Sequence, residues 1–320
     1  MIAICILAAP LAAEAQPAGR TPRVGVLYGG SPSVANRCDE GFRHGLAELG
    51  YVEGKSVLLE VRWAEGDVGR ARELATELVR LKVDVIFAPG TMVAQSAKRA
   101  TGVIPIVIAS AGDPIGSGLI KGFGHPAGNI TGLSMVAGPE IAGKYLELLK
   151  EAVPRASRMA VITNPDNPAL TPQVKAMEVA ARTLGVDIHL LALRKAGELD
   201  SVFAAMVQTR VGALVVLPDP LSQSLRVKIA ELALKHRLPS MFGLTEHVAA
   251  GGLMAYGAEL RQHCGRVPTF VDKILKGAQP GDLPVEQPTK FEFIINLKAA
   301  KALGLTIPSA LLLRADQAIE

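Results

Sequence analysis

The sequence predicts an α/β protein built from two doubly wound parallel-sheet units. Three observations carry that prediction. Short apolar runs rich in β-branched residues alternate with helix-length amphipathic segments from residue 23 onward. The alternation starts afresh near residue 157. Almost every strand stops on small, polar or turn residues, as at the carboxyl edge of an open parallel sheet.

In the first unit, RVGVLYGG (23–30) is a strand running into glycines, and CDEGFRHGLAELG (38–50) is a helix closed by Gly50. SVLLEVRW (56–63) is the second strand, and GRARELATELVRLK (69–82) a helix with an apolar stripe of Leu74, Leu78 and Leu81. VDVIFAPG (83–90) and TMVAQSAKRATG (91–102) form the next pair, and VIPIVIAS (103–110) is the fourth strand. The second unit runs SRMAVITNP (157–165), a helix over 168–185, VDIHLLAL (186–193) and a helix over 197–210. VGALVVLPD (211–219), a single helix over 220–237 and LPSMFG (238–243) follow. The join between the units is placed at GNITGLSMVAG (128–138), which is rich in glycine and low in charge. After GGLMAYG (251–257) the pattern predicts a helix over 259–276, an extended VEQPTKFEFIIN (285–296) and a short helix, LKAAKALGL (297–305). Strands and helices of these lengths imply parallel sheets covered on both faces.

The chain has 320 residues, comfortable for two domains, and its 49% hydrophobic content supplies a large core. A net charge of +4 with no basic run longer than a pair, and only 4% aromatic residues, exclude a nucleic-acid groove. The first fifteen residues, MIAICILAAPLAAEA, are apolar and close on Ala13-Glu14-Ala15, an A-x-A cleavage pattern. They read as a secretory signal although no Lys or Arg precedes the apolar run; the alternative is a buried N-terminal helix. The stretch is too short for a comfortable membrane span, which takes about 20 residues. Cys5 lacks the upstream apolar stretch and small residues of a lipid-anchored cysteine. Cys38 and Cys264 are read as buried thiols, with a disulfide as the alternative, since sequence cannot bring them within bonding distance.

Catalytic motifs fail on inspection. GPEIAGKY (138–145) has the spacing of a phosphate-binding loop, but Tyr145 stands where Ser or Thr would hold magnesium, and Ile141, Tyr145, Leu148 and Leu149 mark an amphipathic helix instead. GSGLIKG (116–122) has one residue too many for a dinucleotide fingerprint. His44, His125, His189, His236, His247 and His263 form no i, i+4 metal pair, and no G-x-S-x-G elbow is present. Asp84 and Asp187 open strands at the far end and read as surface caps. No cofactor and no metal follow from the sequence.

The strand ends carry the functional signal: Tyr28-Gly29-Gly30-Ser31, Pro89-Gly90-Thr91 and Ser110 to Asp113 in the first unit, and Asn164-Pro165, Pro218-Asp219-Pro220, Phe242-Gly243 and Tyr256-Gly257 in the second. Glycine lets backbone approach a ligand, and each following helix offers free N–H groups. For ASAGDP (109–114) the plainer reading is a turn in which Asp113 caps a helix.

RVGVLYGG, DPIGSGLIKGFGHPAGNITGLS, GGLMAYG and above all VDKILKGAQPGDLPVEQPTKFEFIINLKAAKALGLTIP resemble the substrate-binding proteins of ABC transporters often labelled tryptophan/tyrosine-type, over residues 22–320. The resemblance implies a periplasmic binding protein type I-like fold, with two lobes joined by a hinge and ligand trapped between them. It also implies an extracytoplasmic, periplasmic location and an ABC permease with a separate ATPase subunit as partners. The expected layout is a signal peptide at 1–15, a first lobe of 22–135 plus 258–285, and a second of 136–257 plus 286–320. On that plan Tyr28, Ser31, Gly90, Thr91, Ser110 and Asp113 face Asn164, Asp219, Phe242 and Tyr256 across the cleft. For an amino-acid ligand, Gly90, Thr91 and Ser110 would hold the carboxylate, Asp219 or Asp113 the ammonium, and Tyr28, Phe242 and Tyr256 the side chain. A monomer without catalytic residues is expected. A sensor domain of the same fold, or a two-domain enzyme using the same cleft, are the alternatives.

Overall fold

β-Branched and apolar runs form the strands of two separate sheets. The computed structural model of the protein describes residues 20–32, 37–135, 138–288 and 290–320. The leader read at 1–15, Cys5 and part of the 128–138 join lie outside those residues. The first sheet contains β1 (Arg23–Tyr28), β2 (Leu58–Trp63), β3 (Val85–Pro89), β4 (Ile106–Ala111) and β5 (Ile130–Ser134), all parallel, in the order β2-β1-β3-β4-β5. Helices α1 (Arg37–Glu48), α2 (Val68–Arg80) and α3 (Thr91–Ala100) connect its first strands. Side chains alternate across the pleat: Val24, Val26 and Tyr28 join the core under α1, whereas Leu27, Ile86 and Ile106 pack beneath α2 and α3.

The second sheet follows the same plan. Helices α4 (Ile141–Ala152), α5 (Leu170–Leu184), α6 (Leu199–Thr209), α7 (Pro220–Ser224), α8 (Arg226–Lys235) and α9 (Glu246–Ala249) alternate with β6 (Arg158–Thr163), β7 (Asp187–Ala192), β8 (Ala213–Val216), β9 (Ser240–Phe242) and β10 (Met254–Gly257). The chain then returns to the first sheet, where α10 (Leu260–Gly265) and α11 (Val267–Leu275) pack beside α1 and over β4. It crosses again to add β11 (Glu292–Asn296), α12 (Leu297–Leu303), α13 (Ser309–Leu312) and β12 (Gln317–Ile319), which gives the sheet order β12-β11-β10-β9-β8-β6-β7. β11 runs antiparallel to β10; every other pairing in the sheet is parallel. Met135, Leu244, Ala258 and Leu260 form a small buried cluster where the chain passes between lobes.

Three local expectations are corrected. Residues 130–134 of the glycine-rich join are a fully buried strand on the edge of the first sheet, held by β4. The single helix expected over 220–237 breaks at Leu225, and that over 259–276 breaks at Arg266. Cys38 and Cys264 are not free thiols: they form a disulfide between α1 and α10, with Cα atoms 5.0 Å apart. Gly41 brings the helices that close, since a Cβ there would lie 2.0 Å from the Arg261 carbonyl oxygen. No helix among the described residues is long and apolar enough to cross a membrane.

Candidate ligand-binding cleft

In each sheet the strand order reverses at one point. It falls between β1 and β3 in the first and between β6 and β8 in the second. Open α/β sheets bind ligands outside the carboxyl ends of the strands at such a point. Here the two reversal points face one another across a cleft enclosing about 950 Å³, counting its open mouth. Tyr28, Gly29, Gly30, Ser31, Gly90, Thr91, Ser110 and Gly112 line one side; Asn167, Ala169, Gln173, Asp219, Pro220 and Gln223 line the other.

On the first lobe, Tyr28 is buried with its ring stacked on Trp63 at 4.4 Å, and its hydroxyl donates to Asp39 Oδ1 at 2.9 Å. Burial, then the Asp39 charge, pushes the phenol well above its ordinary pKa, so it stays a donor. Gly90 sits at φ +101°, in the region open to glycine, and starts α3 with no side-chain cap. The first N–H groups of this ten-residue helix therefore have no side-chain acceptor among the described residues, and the helix dipole makes that end attractive to an anion. The Thr91 hydroxyl accepts from the Gly112 N–H at 3.1 Å and locks the β4 end against α3. Ser110 adopts φ +55°, rare for a non-glycine residue.

On the second lobe, Asp219 is 5% exposed. Its Oδ1 accepts from the Leu221 N–H at 2.8 Å, capping α7, and its Oδ2 from Asn167 Nδ2 at 2.9 Å. Burial raises its pKa, while the Asn167 and Leu221 hydrogen bonds pull it back. Three further polar atoms in the cleft are buried with no partner among the described residues: Ser110 Oγ, Gln173 Oε1 and Gln223 Oε1. A buried polar atom left unpaired costs about 1–3 kcal/mol, so three around one cavity mark where a ligand's donors belong.

Of the ten residues singled out from the sequence, Tyr28, Ser31, Gly90, Thr91, Ser110 and Asp219 lie together in this lining. The other four lie outside it. Asp113 Oδ1 accepts from the Gly116 N–H at 2.8 Å and so caps its own turn. Asn164 accepts from the Asp166 N–H at 3.1 Å and donates to Asp219 at 3.4 Å, behind the wall. Phe242 is fully buried in the second lobe, stacked on His247 at 4.6 Å. Tyr256 stacks on Phe291 at 5.6 Å and lines a separate hollow with Ile141 and Lys144. Sequence reasoning missed Gln173 and Gln223, which project from helices. Gln173 did leave a signal: it interrupts the buried stripe Leu170, Gln173, Met177, Ala181, where an apolar residue would be the rule.

A cleft shared by the strand ends of two α/β lobes, with buried polar atoms awaiting partners, has the form of a small-molecule binding site. The chain belongs to the ABC transporter substrate binding protein family, whose model matches residues 30–319. It is 27% identical to the tyrosine-binding protein of Clostridioides difficile (strain R20291) over 87% of this chain and 79% of that protein. Among solved structures, a conserved domain protein from Vibrio cholerae superimposes with a TM-score of 0.86 at 27% identity, over 93% of this chain and 100% of the other. An ABC domain from Streptococcus pneumonia in complex with L-Trp gives 0.85 at 27% identity, over 94% and 100%.

Proposed function

We propose that this protein is the periplasmic solute-binding component of an ABC importer. It catches an aromatic amino acid between its lobes and presents it, as a monomer, to a membrane permease driven by a separate ATPase subunit. One observation carries the ligand class: a single cleft pairs an uncapped helix N-terminus on one lobe with a buried carboxylate on the other. An α-amino acid has the matching charges. Its carboxylate would take the N–H groups after Gly90 and the hydroxyls of Thr91 and Ser110. Its ammonium would take Asp219, with Gln173 and Gln223 as further acceptors. Tyr28, Met135, Leu244 and Leu260 supply an apolar wall for a ring. The names of the two aromatic-amino-acid relatives support the same class. A secretory leader and a disulfide both suit an oxidising compartment.

Calorimetric titration of the protein lacking residues 1–15 tests this reading. L-Tryptophan or L-tyrosine binds; indole-3-propionate, without the ammonium, and tryptamine, without the carboxylate, bind at least about tenfold more weakly, the loss of one charge-assisted hydrogen bond. Asp219→Asn preserves the helix cap, since Asn caps as well as Asp, yet weakens the amino acid by about ten- to a hundredfold. Equal binding of indole-3-propionate and L-tryptophan overturns the assignment of the ammonium to Asp219. Failure of the whole amino-acid panel overturns the ligand class.

A further inference from the structure

Beside the cleft, two glycines of the first lobe stand close against residues of the second. A Cβ built on Gly112 would lie 2.8 Å from the Cβ of Ala169 and 3.4 Å from Gln173 Nε2. One built on Gly29 would lie 3.3 Å from the Cβ of Pro220. Neither glycine has a positive φ, so backbone conformation would accept alanine at both. The Gly112 N–H already has its partner in Thr91, and alanine keeps that bond. What excludes a methyl group at Gly112 is the opposite lobe.

We infer that Gly112 sets how far the cleft can close: its missing side chain is the socket for the Ala169 methyl, and the pair is a positioning contact for ligand capture. Carbon atoms prefer a separation of about 3.5–4.0 Å. A methyl at residue 112 therefore stops the lobes roughly 1 Å short at that contact. The residues that reach the ligand from both sides, Ser110 next to the socket and Gln173 one turn beyond Ala169, then cannot converge. Gly29 against Pro220 is the looser contact, and alanine there has the smaller effect.

The test is a rescue pair with a readout that needs no ligand. Gly29→Cys with Pro220→Cys places two thiols at the second contact, where the Cβ separation is near that of a disulfide. Its oxidation by oxidised glutathione therefore reports closure. In that background Gly112→Ala slows trapping about tenfold or more, and adding Ala169→Gly, which removes the methyl it strikes, restores the rate. In the chain with natural Gly29 and Pro220, Gly112→Ala weakens L-tryptophan by a similar factor and Ala169→Gly recovers it, while the ligand-free Tm of Gly112→Ala stays at the wild-type value. Unchanged trapping in Gly112→Ala overturns the inference, as does slow trapping that Ala169→Gly does not relieve. The affinity arm rests on the amino-acid reading above. If L-tryptophan and L-tyrosine fail to bind the wild type, that reading falls and the trapping rates alone still decide closure.

Discussion

Glu246 and Asp219 are both buried carboxylates, but their surroundings differ. Asp219 has Asn167, Leu221 and Asn164 as donors. Neither oxygen of Glu246 has a hydrogen-bond partner among the described residues. Burial pushes its pKa up from 4.5 to about 7, with its own N–H and the charges of Arg37 and Arg226 offsetting part of the shift and Glu259 adding to it. A folded-state pKa raised this way contributes stability that is present below the unfolded value and lost as pH rises through the folded one. Glu246→Gln, the isostere of the protonated acid, therefore differs little from wild type at pH 5 and is more stable by about 3 kcal/mol at pH 8. Urea denaturation at the two pH values checks this, and equal stability at pH 8 refutes it. The residue scale is also where sequence reading was least complete. Strand-end residues such as Tyr28, Thr91 and Asp219 were legible because parallel sheets gather their carboxyl ends on one edge. Gln173 was harder, since its meaning depends on which helix face meets the other lobe. Phe242 and Tyr256 also stand at strand ends, but neither the side-chain direction nor the twist that carries it out of the cleft can be read from spacing.

At the scale of elements, α2 and α3 lie side by side in one lobe and begin differently. Asp67, at φ −94°, caps α2 by accepting from the Arg70 N–H at 2.7 Å. The start of α3 at Gly90 has no such cap. The capped helix serves stability; on the function proposed above, the uncapped one leaves its N–H groups for the ligand. Asp67→Ala is expected to cost about 0.5–2 kcal/mol of stability and to leave the Kd for the amino acid unchanged, because Asp67 is not in the cleft lining. Thermal unfolding and calorimetry on one preparation separate the two effects; a weakened Kd with unchanged Tm would refute this division of roles. Helix and strand identities were largely legible because period-3.6 and β-branched runs are local signals. The break at Leu225 was not, since no proline or glycine signature forces it, whereas Gly265 and Pro268 did mark the break at Arg266. The antiparallel direction of β11 and the three-residue β12 were equally hidden, because direction is fixed by the partner strand and not by the strand's own residues.

For the whole molecule, the repeat of one α/β plan was visible in the restart near residue 157, but the bond that fastens the returning chain was not. Cys38 and Cys264 are 226 residues apart, and the loop they close contains the second lobe's strands β6 to β10. The bond holds α10 onto α1 where the chain has just come back from the other lobe. Both segments reach the cleft, through Cys38 and Leu260. Closing a loop of this length restricts the unfolded chain strongly, and a native disulfide of this kind contributes about 2–5 kcal/mol. That stability belongs to the first lobe, because both cysteines pack in its core with Phe42 and Phe270. The second lobe has its own cores on either face of its sheet. Replacing both cysteines by alanine should therefore lower the melting of the first lobe and split a single calorimetric transition into two, the upper one at the temperature of the intact protein. A uniform fall of one undivided transition would mean that the lobes unfold as a single unit. Ligand then acts on the same balance: it binds only when both lobes are folded, so saturating amino acid should draw the two transitions of the alanine variant back together.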